Sequence, residues 1–158
     1  MKEFGSLAQF AAHLVALEAG VALAAHHGLK KVAVEIERTA KSEFGEYQPA
    51  VGGFGAWSPL AEATKADRVR KGYTPDDPLL RSGKLRGSVS HEVSGLEAVI
   101  GSDSDVMVYQ ELGTSKIPPR PVLGPAAERN KDTIERILGG MVAKGIQYGA
   151  AGSFSALP

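Results

Sequence analysis

The sequence predicts an α+β fold: a small antiparallel β-sheet of three or more strands, packed against a long N-terminal helix and a C-terminal helix. Three observations carry that expectation. Apolar side chains between Leu7 and Phe44 recur at steps of three and four. Short segments after Ser88 alternate apolar and polar on either side of a turn. A last apolar face runs from Ile134 to Val142 with helical spacing. Steps of three and four put side chains on one helix stripe, whereas strict alternation puts them on one face of a strand.

The first element is helix over residues 6–44, with Leu7, Phe10, Leu14, Leu17, Val21, Leu29, Val32, Ile36 and Phe44 on its stripe. Unbroken, it would exceed roughly 55 Å at about 1.5 Å per residue. Gly28 is the predicted break or kink, because glycine costs about 1 kcal/mol against alanine in a helix interior. Residues 45–57 are loop, since four glycines and a proline prevent regular structure. A second helix is expected at 59–71, with Ser58 as cap and Pro59 in the first turn, ending near Gly72. Val89, His91 and Val93 form a strand, Ser94-Gly95 a two-residue hairpin turn, and Leu96, Ala98 and Ile100 the return strand. Val106 to Glu111 reads as a third strand. Residues 113–124 are extended and proline-rich, and Pro125 starts a helix that ends near Lys144. This gives one domain over 1–145 and a Gly-rich C-terminal tail over 146–158, expected to be mobile.

Composition narrows the function. Lys plus Arg and Asp plus Glu number 18 each, so the net charge is zero and no basic excess points to nucleic acid or a membrane surface. The same balance gives weak self-repulsion, which suits association of identical chains. There is no Cys, which excludes disulfides, Cys-ligated metal and thiol chemistry. The N-terminus has no signal-peptide pattern. The apolar stretch Leu14 to Ala25 carries Glu18 and falls short of the about 20 residues a membrane span needs, so a soluble chain is expected.

No catalytic constellation emerges. His26 and His27 are adjacent, so on a helix they point about 100° apart and cannot share one metal; no His-Glu-x-x-His occurs. Gly83-Lys84 lacks the rest of a phosphate loop, with Pro78 and Leu85 where Gly and Ser or Thr are required. Asp76-Asp77 and Asp103/Asp105 are carboxylates at turns, where Asp bonds its own backbone. The basic segment Lys65, Arg68, Arg70, Lys71, Arg81, Lys84 and Arg86 reads as a solvated face or a subunit contact rather than a single-strand binder, since no aromatic residues alternate with the charges.

Two stretches are distinctive. One is Trp57-Ser58-Pro59-Leu60, followed by Pro78-Leu79-Leu80-Arg81-Ser82-Gly83-Lys84-Leu85-Arg86-Gly87-Ser88. The other is Tyr109-Gln110-Glu111-Leu112-Gly113-Thr114, leading through Pro118-Pro119-Arg120-Pro121-Val122-Leu123-Gly124-Pro125-Ala126 into a final helix. In this order they resemble the phage tail-completion and virion-morphogenesis proteins, minor tail components of the head–tail neck. The likeness covers about residues 57–138, and the long N-terminal helix is also similar. The family's usual aromatic after Arg-Pro is Val122 here, and loop 45–56 is unusually Gly-rich.

The resemblance implies a non-enzymatic structural protein of a tailed-phage particle, with no cofactor, metal or catalytic residue. It implies a homo-oligomeric ring, a hexamer by the six-fold symmetry of tails, that caps the tail and joins it to the head. Its partners would be itself, a tail-tube or tail-terminator protein, and a head–tail connector or stopper protein. DNA would enter only as genome passing through the channel, and no membrane is involved. The location would be the virion, with assembly in the host cytoplasm. Tail terminator or head-closure protein is the alternative within the particle; a small DNA-binding accessory protein is the alternative outside it. Candidate contacts to subunits or neighbours are Trp57, Leu85, Arg86, Glu111, Gly113, Thr114, Pro119, Arg120 and Pro121.

Physical chemistry adds detail to these residues. Gly83 and Gly113 fall where sharp turns need positive φ. Ile117 to Pro121 form a stiff arm, able to cross a neighbour or to bridge strand and helix within one subunit. Three prolines remove amide donors around Arg120, leaving its guanidinium as the arm's polar handle, suited to a carboxylate or to several backbone carbonyls. Glu111 or an acidic group on a neighbour is its expected partner. The apolar stripe of the long helix exceeds what a three-stranded sheet covers, so the excess is expected to meet another subunit.

Overall fold

A computed structural model describes residues 3–151. Its elements are α1 (Leu7–Ser42), α2 (Glu62–Arg70), α3 (Lys84–Gly87), β1 (Val89–Ser94), β2 (Glu97–Ser102), α4 (Asp105–Leu112), α5 (Leu123–Arg129) and α6 (Lys131–Ala151). Helices and a small antiparallel sheet coexist, as expected of an α+β chain, but the sheet has two strands, β1 and β2. The residues gather into two compact units. Residues 3–33, 93–98 and 132–151 belong to the first; residues 34–92 and 99–131 belong to the second.

In the first unit, α1 runs through Gly28 without the predicted break. Gly28 is needed for closeness instead: a Cβ there would lie 3.2 Å from Leu138 Cδ2 and 3.3 Å from Met141 Cβ on α6. The same holds for the stretch expected to be a mobile tail, because α6 continues to Ala151. A Cβ on Gly145 would meet Ala24 Cβ and the Gly20 carbonyl oxygen at 2.8 Å, and one on Gly149 would meet Leu17 Cα at 2.9 Å. These glycines are contact surface for α1, so their helical cost is offset by close packing. Residues 152–158 of the predicted tail lie outside the described residues. His26 Nδ1 donates to the Gly95 carbonyl at the hairpin tip, 2.6 Å away. The hairpin loop is Gly95-Leu96 rather than Ser94-Gly95, and Gly95 takes a φ of 55°. By length and composition α1 is apolar enough to cross a membrane, and little of its apolar window is buried. The sequence reading stopped at residues 14–25, before the pair His26-His27, and so took a shorter apolar stretch.

In the second unit, Ile36, Ala40, Phe44, Trp57, Val89, Met107, Val122 and Ala126 form the buried core. The predicted third strand, 106–111, is helix α4. A short apolar run does not distinguish strand from helix. Met107 is buried while Val106, Val108 and Tyr109 are exposed. Asp105 in the first turn favours the helix through its N-terminal dipole. The second helix starts at Glu62, not Pro59. Residues 58–61 have no regular structure, and the Ser58 and Pro59 carbonyls are taken by another side chain described below. The C-terminal helix is divided at Asn130, whose buried amide Nδ2 donates to Thr39 Oγ1 at 2.7 Å and to the Ala126 carbonyl at 2.8 Å. Loop 45–57 is irregular as expected, tightened by a bridge between Val51 and Phe54.

Candidate functional site

The residues that carried the sequence resemblance converge in the second unit, around the proline-rich arm. The turn into the arm begins at Gly113, with φ 72°. A Cβ there would lie 2.9 Å from the Ile117 oxygen and from Pro119 N, so both φ and space require glycine. Thr114 closes the turn. Its amide donates to the Ile117 carbonyl at 2.8 Å, and its Oγ1 accepts from the amides of Lys116 and Ile117 at 3.2 and 3.1 Å. Thr and Ser hydroxyls commonly replace a backbone partner in this way.

The arm is then fastened at three points. Arg120 is 5% exposed. Its Nε donates to the Ser58 carbonyl at 3.1 Å, and its Nη2 to the Ser58 and Pro59 carbonyls at 2.9 and 3.1 Å. Its backbone amide, the one donor that the flanking prolines leave, reaches the Gln110 carbonyl on α4 at 2.6 Å. Trp57, also buried, donates from Nε1 to the Pro121 carbonyl at 3.0 Å. Glu111 Oε1 accepts the amides of Val122 and Leu123, both at 2.8 Å, where α5 begins. Burial holds the Arg120 guanidinium below its ordinary pKa range, and Arg68 adds repulsion while Tyr47 opposes the shift.

Arg120 is therefore the arm's polar handle, but its partners are carbonyls of its own chain. Glu111, the expected carboxylate partner, caps α5 instead. The arm bridges elements within one subunit, which was one of its two predicted roles. Of the other candidates, Gly83 has the predicted positive φ, at 79°, at the start of α3. Leu85 on α3 is half-buried and Arg86 is exposed. Pro119 is exposed beside a shallow cleft of about 370 Å³ that also touches Phe54, Leu112 and Pro121. A larger groove of about 600 Å³ is bordered by Leu85, Val106, Gln110, Ile117, Pro118 and Arg120.

Sequence reasoning missed several fastening residues. Tyr47 donates to Asp76 Oδ1 at 2.5 Å and accepts the Leu60 amide at 2.9 Å. Arg68 is buried and donates to the Asp77 carbonyl at 2.7 Å, with the Thr74 and Leu80 carbonyls at 3.4 Å. Nothing in the spacing of α2 marked Arg68 apart from the other charged residues. The charge of its neighbours hid it. Glu43, in the turn just after α1, pairs with Arg129 on α5, and its second carboxylate oxygen is buried without a partner among the described residues. Burial pushes the Glu43 carboxyl up to about 7, against the pull of Arg129 and with a smaller push from Glu111.

Most of the basic segment is occupied. Lys65 lies 3.2 Å from Glu62 and 3.4 Å from Asp76; Arg70 and Lys71 both pair with Asp67; Arg81 sits 4.9 Å over the Tyr73 ring. Among the described residues, no group of three or more His, Asp or Glu is placed to hold a metal ion.

No family model matches this chain, and neither the curated proteins nor the solved structures gave a match.

Proposed function

We propose that this chain is a structural protein of a tailed-phage neck, a tail-completion protein that forms a ring, most simply of six copies, between tail and head. One observation supports the reading above others. The two sequence stretches that carry the resemblance are joined to each other. Trp57 holds Pro121, and Arg120 holds Ser58 and Pro59. A motif pair separated by about sixty residues thus acts as one fastening, which sets the path of the arm and the start of α5. Such a rigid edge is what a ring subunit needs, because an arm already ordered loses little entropy when a neighbour docks. Tail-tube or tail-terminator protein on one side, and connector or stopper protein on the other, are the proposed neighbours. The occupied cations weigh against the DNA-binding alternative.

Electron microscopy of phage particles made without this chain tests the reading. The expected result is filled heads beside free tails, with the junction restored when the chain is supplied. Complete infectious particles in its absence would reject the neck role. Tails of uncontrolled length would move the assignment to tail terminator.

A further inference from the structure

The second unit holds a groove that the fastening of the arm does not use. Its volume is about 600 Å³, within the about 300–1,000 Å³ of ordinary binding pockets. Leu60, Leu79, Leu85, Val106, Ile117 and Pro118 give it apolar walls. Leu79 stands in the left-handed region, with φ 59°, a conformation that leucine rarely adopts. Arg68 holds this turn by donating to the Asp77 carbonyl. Strain of this kind gathers where a site is built. Arg81 and Lys116 border the groove, both exposed, and neither faces a carboxylate among the described residues. Asp67, the acid beside them, is already paired with Arg70 and Lys71. The groove therefore suits a protruding apolar side chain with a carboxylate next to it.

The chain itself carries such a feature. Outside the helices, the exposed large apolar residues among those described are Tyr47, Phe54, Tyr73, Leu96 and Val99. Three of them are occupied. Tyr47 bonds to Asp76, the Phe54 ring lies against Gly124, and Tyr73 lies under Arg81. Leu96, 63% exposed in the hairpin loop, and Val99 on β2 are left. The two-residue loop pairs Ser94 with Glu97 and Glu92 with Val99. Side chains alternate along a strand, so Glu92, Glu97 and Val99 share one face, and all three are exposed. Neither glutamate has an ion-pair partner among the described residues. The hairpin tip thus offers an open leucine beside unpaired acids, and the groove offers apolar walls beside unpaired cations.

We infer that the hairpin tip of one copy seats Leu96 in the groove of a second copy, with Glu92 and Glu97 facing Arg81 and Lys116. Tip and groove are different surfaces of the chain, so the contact is head-to-tail, the kind that builds a ring when its rotation closes. It names the subunit contact of the proposed ring and rests on that reading. Opposite charges at the rim fix the register of docking. A tip of a few residues is smaller than the about 20–30 residues a side of a standard interface, so a single contact is weak. Ring closure makes the last link intramolecular, and the assembly is firmer than any one link.

The absence of Cys makes the test direct. Ser94 at the tip and Ser82 at the groove are both exposed. With a short bis-maleimide on the full chain, a mixture of S94C and S82C is expected to give a cross-linked pair, while each variant alone stays single. A chain carrying both cysteines is expected to give a ladder of species. In sedimentation velocity, E97K and K116E are each expected to weaken association about tenfold or more, and a chain carrying both is expected to regain it. Circular dichroism of the variants is expected to match the parent. Self-association without the S94C–S82C pair, or untouched by K116E, would overturn the contact and leave the ring reading standing. A chain that stays monomeric at a few hundred micromolar, with no ladder from the double cysteine variant, would also overturn the contact. The neck role is then judged separately, by the particles made without the chain.

Discussion

The Arg120 guanidinium lies among backbone carbonyls rather than beside a carboxylate, and this fixes what its loss costs. Removing it takes away part-buried hydrogen bonds from a charged donor to the Ser58 and Pro59 oxygens, and bonds to a charged group contribute about 1.5–3 kcal/mol. Arg120→Ala is expected to lower stability by about 2–3 kcal/mol, a fall in melting temperature of several degrees for a chain of this size. Arg120→Lys is expected to recover less than half, since one ammonium does not reproduce the two-nitrogen grip. Thermal unfolding followed by circular dichroism checks both. A melting temperature in Arg120→Ala equal to that of the parent would mean the prolines and Trp57 hold the arm by themselves. At the same scale, Glu43 makes stability depend on pH in an unusual direction. Its carboxyl titrates at about 7 in the folded chain and near 4.5 when unfolded. Between those values the folded state holds the extra proton. The contribution is thus fully present below about pH 4.5 and is lost as pH rises through 7, a difference of about 3 kcal/mol at the order-of-magnitude level. Glu43→Gln, which mimics the protonated form, is expected to melt higher than the parent at pH 8 and nearly alike at pH 5. An equal difference at both values would refute the assignment.

At the scale of elements, the glycines of α6 separate two roles that sequence alone merges. Gly139 and Gly140 have nothing within 4 Å of an added Cβ, whereas Gly145 would meet α1 backbone and side chain at 2.8 Å. Alanine at 139 or 140 is expected to stabilise by up to about 1 kcal/mol through helix propensity. Alanine at 145 is expected to destabilise by about 1–3 kcal/mol, because overpacking outweighs the same propensity gain. Chemical denaturation of the three variants separates these outcomes, and a stabilised Gly145→Ala would contradict the close α1–α6 contact. The sequence reading ended the domain at Gly145 for the same reason it took Gly28 as a kink. Propensity is local, and only the facing helix shows that absence of a side chain is useful there. Periodicity made α1, α6 and the hairpin legible, because each buries one face over many residues. It failed at α4, where eight residues are too few to tell period two from period 3.6. The clasp was legible in part. Arg120 stood out through the prolines around it, and Trp57 and Glu111 through the motifs. Its actual acceptors, two carbonyls, carry no sequence signal, since every residue has one.

For the whole molecule, the question is whether charge reaches outward. Lys and Arg equal Asp and Glu in number, yet balance in composition does not prevent a basic patch. What prevents one in the 65–86 segment is the way its cations are used. Arg68 is buried on carbonyls, Lys65, Arg70 and Lys71 face carboxylates, and Arg81 lies over an aromatic ring. Affinity for a duplex depends on cations free to displace condensed counterions, and each phosphate neutralised adds about 0.9 to the salt slope. With Arg81, Lys84 and Arg86 as the cations of the segment that show no carboxylate or carbonyl partner among the described residues, the slope is expected to be about 3 or less. Fluorescence anisotropy with a labelled duplex of mixed sequence is expected to show weak association at 50 mM salt that disappears by 150 mM, regardless of sequence. Sub-micromolar binding that persists at 150 mM and discriminates between duplexes would require cations outside this segment. It would also make DNA recognition, rather than a place in the neck, the better account of the chain.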